Sequence, residues 1–209
     1  MPPEIAARAV VIRNGVDVAR IRPTDSRWRL AEEWRLPMDR YVIGYVGRYS
    51  EEKDYLSAAR AAQELGAHAL YVGRVCGIAD AEQRIRSASS RVTLLPSDSN
   101  IGDALACMDV LVCTSPEEGF GLSVVEAWLS RTPTVTCHTG IAADLDRQDY
   151  YCQFVPPHSD GYEVSRACES AILAHRAGCF ASTYNYAYGH LTAPTMARSW
   201  EEFLDAVLD

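Results

Sequence analysis

No hydrophobic run in this chain is long enough to span a bilayer, and no signal-peptide pattern opens it, so a cytoplasmic protein with no membrane segment is expected. Positive charge is scarce: 20 Lys and Arg stand against 28 Asp and Glu, a net charge of −8. That balance argues against nucleic acid as a partner and against electrostatic attachment to anionic membrane. Any anionic ligand must be held by a local group of cations. No Cys-x-x-Cys pair occurs, and the cysteine count is odd: Cys76, Cys107, Cys113, Cys137, Cys152, Cys168 and Cys179. They read as reduced thiols, several of them small buried hydrophobes, and not as a disulfide frame or zinc site.

Other signatures are missing too. There is no Gly-x-Gly-x-x-Gly for a nicotinamide or flavin dinucleotide and no Gly-x-x-x-x-Gly-Lys-Ser/Thr phosphate loop. There is no Gly-x-Ser-x-Gly elbow, and the five histidines, His68, His138, His158, His175 and His190, show no metal-ligand spacing. No internal repeat or low-complexity linker divides the 209 residues.

What is present is alternation. Short, mostly continuous apolar runs at 9–12, 41–46, 69–72, 92–94, 110–113, 134–137 and 153–155 read as strands covered on both faces. Between them lie helix candidates at 54–65, 79–87, 101–108, 122–130 and 162–176, with a shorter one at 27–35. Strand-helix repetition predicts an α/β fold with a doubly wound parallel sheet, Rossmann-like, whose ligands sit at the carboxyl ends of the strands. Residues 1–22 read as a linker-like segment with a first strand, 23–193 as the main domain, and 194–209 as a terminal helix with Trp200, Phe203, Leu204 and Val207 on one face.

The most informative segment is Pro116-Glu117-Glu118-Gly119-Phe120-Gly121-Leu122-Ser123-Val124-Val125-Glu126. It leaves a strand and opens a helix. Glycines there expose backbone N–H groups at the end of a helix that favours anions. Glu118 and Glu126 are eight residues apart, about 12 Å along a helix, too far to act on one bond. They could instead contact the two ends of a long ligand with an anionic middle. The plainer alternative is that Glu118 complements the helix dipole and Glu126 meets an arginine.

A second segment, Gly47-Arg48-Tyr49-Ser50-Glu51-Glu52-Lys53, follows another strand. Arg48 offers a fork for two phosphate oxygens, Lys53 a compact charge, and Ser50 a cap for the next helix. The alternative is a surface Arg and Lys neutralised by Glu51 and Glu52. Gly73, in Tyr71-Val72-Gly73-Arg74, permits a tight turn or close approach of a ligand. Pro96 ends Val92-Thr93-Leu94-Leu95-Pro96-Ser97, whose backbone could meet a base or be an ordinary loop. His138 follows a strand and reads as a loop histidine.

In order and spacing these segments resemble the C-terminal half of a GT-B glycosyltransferase of the large retaining family 4. The resemblance runs from Val11-Ile12-Arg13-Asn14-Gly15-Val16-Asp17 through Val46-Gly47-Arg48, Lys53, Tyr71-Val72-Gly73 and Asp109-Val110-Leu111-Val112 to Ser115–Leu122 and Glu126-Ala127. It implies a nucleotide-sugar donor. Arg48 and Lys53 would hold its diphosphate and stabilise the leaving group, and Glu118 would contact the sugar with the amides of Gly119 and Phe120. Gly121 and Leu122 would offer helix-terminal amides, and Glu126 would bind ribose hydroxyls. Gly47, Gly73 and Pro96 belong to the implied donor site. No cofactor and no metal are implied, because cations and the helix end carry the electrostatic work.

The chain departs from the family pattern where Arg131 and Thr132, not glycine, precede Pro133, and where Thr139-Gly140-Ile141-Ala142-Ala143-Asp144 replaces a paired-glycine loop ending in Glu. The resemblance also implies an N-terminal acceptor domain, supplied in cis or in trans, to which the terminal helix crosses. Without it the chain would be a stand-alone nucleotide-sugar-binding module with little or no transferase activity. An epimerase or phosphorylase of the same fold is the remaining reading. The acceptor is not legible.

Overall fold

The computed structural model describes residues 9–145 and 151–208. Its centre is a six-stranded sheet: β1 (Val42–Tyr49), β2 (His68–Val75), β3 (Val92–Leu95), β4 (Val110–Cys113), β5 (Thr134–Thr136) and β6 (Gln153–Phe154). All pairs are parallel and the order is β3-β2-β1-β4-β5-β6. The order reverses between β1 and β4, which makes their carboxyl ends the switch point of a doubly wound sheet.

Eight α-helices are described. They are α1 (Arg27–Glu33), α2 (Ser57–Leu65), α3 (Ala81–Ala88), α4 (Ile101–Cys107), α5 (Leu122–Leu129), α6 (Gly161–Arg176), α7 (Ala181–His190) and α8 (Ala193–Leu208). Strand side chains alternate between two cores. Ile43, Tyr45 and Tyr49 of β1 pack with α2, α3 and α6, while Val42 and Val46 pack with α1 and α4. Helix α2 lies close to both sheet and α6 because its buried face is alanine: Ala58, Ala59, Ala61 and Ala62 are fully buried. A Cβ on Gly161 would come within 3.0 Å of Arg60 Cβ, so the start of α6 packs tightly on α2. A third core gathers Val124, Val125 and Trp128 of α5 with Phe180, Ala187 and Leu191.

Polar side chains start several helices. Asn100 accepts from the Asp103 amide at 3.1 Å and Asp160 from the Glu163 amide at 2.8 Å. The expected Ser50 cap is not made. Ser50 precedes a 3₁₀ turn (Glu51–Lys53), its hydroxyl is buried without a partner among the described residues, and α2 begins only at Ser57.

Two further expectations are corrected. The apolar run 9–12 forms no strand: Val10 and Val11 are 62% and 84% exposed, with no sheet edge beside them. The segment attaches further on, through a parallel bridge from Val16 to Thr192 with bonds Val16 N–H to Leu191 C=O and Ala193 N–H to Val16 C=O, both 2.9 Å. Helix α7 was not anticipated at all. The terminal helix does form, as α8, with Trp200, Leu204 and Val207 at least half exposed or nearly so.

Candidate functional site

The switch point opens into a cleft of 470 Å³, walled by Gly47, Arg48, Lys53, Glu118, Phe120 and Leu122 among others. It continues into a 390 Å³ recess that shares Val46, Gly47 and Arg48 and adds Gly73, Arg74 and Ser97. Backbone forms the seam. Gly47 and Gly73 pair directly across β1 and β2. Gly47 has φ of 153°, and a Cβ on Gly73 would run into the Gly47 carbonyl and approach the Tyr49 ring at 2.8 Å. These two positions demand glycine, and the result is an edge without side chains where a ligand can reach the main chain.

Arg48 projects from this seam. Its Nη2 lies 3.2 Å from Glu52 and its Nη1 3.8 Å from Cys76 Sγ, with about half of the side chain exposed. Tyr45, buried beneath, donates its hydroxyl to the Arg48 carbonyl at 2.6 Å, and burial raises its pKa, so it remains a phenol. Tyr45 stacks on Tyr71 at 5.1 Å, and Tyr71 is fixed by bonds to Tyr55 C=O and from Ala59 N–H.

Lys53 is the only lysine in the chain. Its Nζ lies 2.8 Å from Glu118 Oε1, with 24% and 13% of the two side chains exposed. The two site charges expected to contact different parts of a ligand therefore hold each other. Cys113, at the end of β4, places its thiol 3.8 Å from the same carboxylate oxygen. Burial, then the Glu118 charge, pushes that thiol up to about 12, so it stays neutral.

The loop carrying Glu118 is braced from both sides. The Ser115 hydroxyl lies 2.8 Å from Glu52 C=O and 3.1 Å from Glu117 C=O, and Ile141 N–H donates to Phe120 C=O at 2.8 Å. Gly140 (φ 55°) backs on to it, since a Cβ there would meet Phe120 C=O at 2.6 Å and Glu118 Cβ at 3.0 Å. Gly140→Ala is therefore expected to displace the Glu118 loop and lower ligand affinity in the cleft while leaving the sheet intact, as a titration with paired circular dichroism would read.

Helix α5 begins at Gly121, φ 91°, with no side chain capping its first turn. Its opening amides are left for solvent or a ligand. Leu122 and Ser123 line the cleft, and Glu126 lies one turn further along the same helix face as Leu122. Glu126 makes no ion pair among the described residues. Burial raises its pKa, opposed by the charge of Arg20, which stands near but beyond ion-pair distance.

The structure thus gathers Gly47, Arg48, Lys53, Glu118, Phe120, Gly121 and Leu122 around one cleft and puts Gly73 in the adjoining recess. Glu126 does not line the cleft. Gly119 and Pro96 are exposed and do not wall it; Ser97 takes the recess position next to Pro96. His138 packs against Phe154, ring centroids 5.2 Å apart. Sequence reasoning missed Tyr45, Cys113 and Ser123. The available signal was position: Tyr45 lies two residues before Gly47, and Cys113 is the last residue of its strand. Among the described residues no group of three or more His, Cys, Asp or Glu could hold a metal, and no helix is long and apolar enough to cross a membrane.

Known proteins share this fold. A family model described as Glycosyl transferases group 1 matches residues 40–172. D-inositol 3-phosphate glycosyltransferase of Mycobacterium tuberculosis is 34% identical over an alignment covering 97% of this chain and 43% of that protein. The chain thus spans less than half the length of the curated relatives it matches. A glycosyltransferase of Rickettsia africae superposes with a TM-score of 0.81 at 19% identity, over 96% of this chain and 57% of that one. HepE of Anabaena, solved with UDP-glucose, gives 0.80 at 24% identity, over 94% and 57%. The C-terminal domain of LpcC of Francisella tularensis, a group 1 family glycosyl transferase, gives 0.70 at 22%, over 86% of this chain and all of that domain. The chain belongs to the group 1 glycosyltransferases and has the Rossmann-like fold of the C-terminal half of a GT-B enzyme.

Proposed function

We propose that this chain is the donor-binding half of a retaining glycosyltransferase, which transfers a sugar from a nucleoside diphosphate sugar to an acceptor hydroxyl once an N-terminal domain completes the cleft. The observation that carries this reading is the convergence of Arg48, Lys53, Glu118 and the uncapped start of α5 on one 470 Å³ cleft. In a protein of net charge −8, two cations and a helix N-terminus at one place suit a diphosphate. HepE, similar in fold, has been solved with UDP and with UDP-glucose, which supports a donor of this class.

Arg48, Lys53 and the α5 amides would take up the charge that accumulates on the departing diphosphate as the bond to the sugar breaks. Glu118 would accept hydrogen bonds from sugar hydroxyls, and Glu126 from the ribose. These groups supply the electrostatic stabilisation from the protein itself, with no metal in the scheme. The second reading is a stand-alone nucleotide-sugar-binding module, for which the cleft of this domain alone would suffice. Supplying a competent N-terminal domain separates the two, since continued absence of transfer would favour the module.

The first experiment is calorimetric titration with UDP, GDP, ADP and TDP in the presence of EDTA. One diphosphate is expected to bind without metal and to identify the base. Silence with all four, on this chain and on an N-terminally extended one, would refute the donor site. Glu126→Ala is expected to weaken that binding by roughly 1–3 kcal/mol, the cost of leaving charge-assisted partners unpaired.

Glu126 also predicts a pH signature. Its folded pKa lies above the ordinary carboxylate value because of burial. The protonated form is therefore favoured by folding, and that contribution is complete below the unfolded pKa and lost as pH rises through the folded one. Glu126→Gln should raise the melting temperature of the ligand-free chain at pH 7, with the gain fading as the pH drops below the carboxylate range. A gain that is constant with pH would mean that the Glu126 charge is not the cause.

A further inference from the structure

Helix α5 runs from the cleft to a second cavity of 320 Å³ at its other end, lined by Val18, Arg22, Ser130, Arg131, Tyr184 and Tyr188 among others. Arg22 and Arg131 form no ion pair among the described residues. The Ser130 hydroxyl is buried and has no hydrogen-bond partner among them either. Its other wall is aromatic. The Arg131 guanidinium stands 3.9 Å over the Tyr184 ring, and Tyr184 and Tyr188 are stacked at 5.9 Å with 22° between planes.

The backbone explains how Arg131 comes to be there. Arg131 N–H donates to Trp128 C=O at 3.1 Å and Thr132 N–H to Ala127 C=O at 2.8 Å, which is the Schellman closure of α5. Arg131 fills its left-handed position, φ 60°, where glycine is the usual residue. A guanidinium therefore occupies a place that backbone geometry would give to a residue without a side chain.

We propose that this cavity binds a small aromatic carboxylic acid. The carboxylate would be taken by the Arg22 and Arg131 guanidinium groups, and the ring by Val18 and the exposed Tyr188 face. Two cations without an acidic partner ask for an anion, and apolar and aromatic walls ask for a flat body attached to it. The volume suits one substituted ring, not a nucleotide sugar.

The test is titration of the full chain with benzoate, followed through ¹H–¹⁵N shifts of residues 129–132 and 184–188, with phenol and acetate as controls. Benzoate is expected to bind with a dissociation constant at or below about 1 mM, and both controls at least about tenfold more weakly. Arg131→Gly removes the guanidinium while easing the left-handed position. It should weaken benzoate about tenfold or more with no fall in melting temperature, and Tyr188→Ala should weaken it in the same direction. Absence of benzoate binding, acetate binding as well as benzoate, or full binding by Arg131→Gly would each overturn the proposal. None of these outcomes depends on whether UDP binds.

Discussion

Lys53→Ala is expected to lower affinity for the chain's nucleoside diphosphate by about 1.5–3 kcal/mol, roughly 10- to 150-fold, with a much smaller effect on the bare nucleoside. The side chain is one of two cations lining the cleft of a net-acidic molecule. Calorimetry with diphosphate and nucleoside in parallel reads the difference, and equal losses for the two would sink the diphosphate assignment. The substitution also strands the Glu118 carboxylate, 13% exposed, without its cation. Stability should fall as well, and Glu118→Ala added to Lys53→Ala should restore stability without restoring affinity. Glu118→Ala alone frees Lys53, so the bare diphosphate should bind as well or more tightly while the sugar conjugate is weakened. Because Lys53 is the only lysine, acylation at a side-chain amine reports on it alone, and diphosphate should slow that reaction.

Trp128→Ala is expected to cost about 3–5 kcal/mol of folding stability, a large share of the roughly 5–15 kcal/mol a domain has in total. Trp128 is fully buried between α5 and the sheet, and its Nε1–H donates to the Thr134 hydroxyl at 3.0 Å. Alanine removes the ring, leaves a cavity and takes from the buried Thr134 hydroxyl one of its two partners, the other being Cys152 Sγ at 3.2 Å. Trp128→Phe keeps most of the volume and should cost about 1–3 kcal/mol, chiefly for the lost partner. Urea denaturation of the three proteins tests this. A loss below about 1 kcal/mol for Trp128→Ala would mean that the core between α5 and β5 collapses on to the space.

The sheet was legible because its strands are short apolar runs buried on both faces, separated by amphipathic helices. The run 9–12 shows the limit of that signal: four apolar residues look like a strand, but a strand needs a neighbour, and β3 and β6 already end the sheet. Helix α7 was invisible for the opposite reason. Its sequence, Ala-Ser-Thr-Tyr-Asn-Tyr-Ala-Tyr-Gly-His, has weak helix formers and no apolar stripe, and it buries only Thr183 and Ala187, one turn apart. Packing on α5 decides its conformation, not local preference. The expected site residues other than Pro96 and Gly119 came together at or beside the cleft, because strand ends and helix starts in such a sheet converge on one edge. Their pairing could not be read, since 65 positions separate Lys53 from Glu118. The chain's choice of Arg131 where the family pattern has glycine became intelligible only when its backbone angle and the ring of Tyr184 were seen together.

The mutual hold of Lys53 and Glu118 has a consequence for competitors. Any small anion drawn to Lys53, inorganic phosphate foremost, must pull it from a mostly buried carboxylate and gives that carboxylate nothing in return. A ligand that brings an anionic group and a hydroxyl-bearing group at the right separation satisfies both charges in one event. For the donor proposed above, the salt bridge sets a threshold that abundant simple ions are expected to fail and a sugar conjugate of a diphosphate to pass.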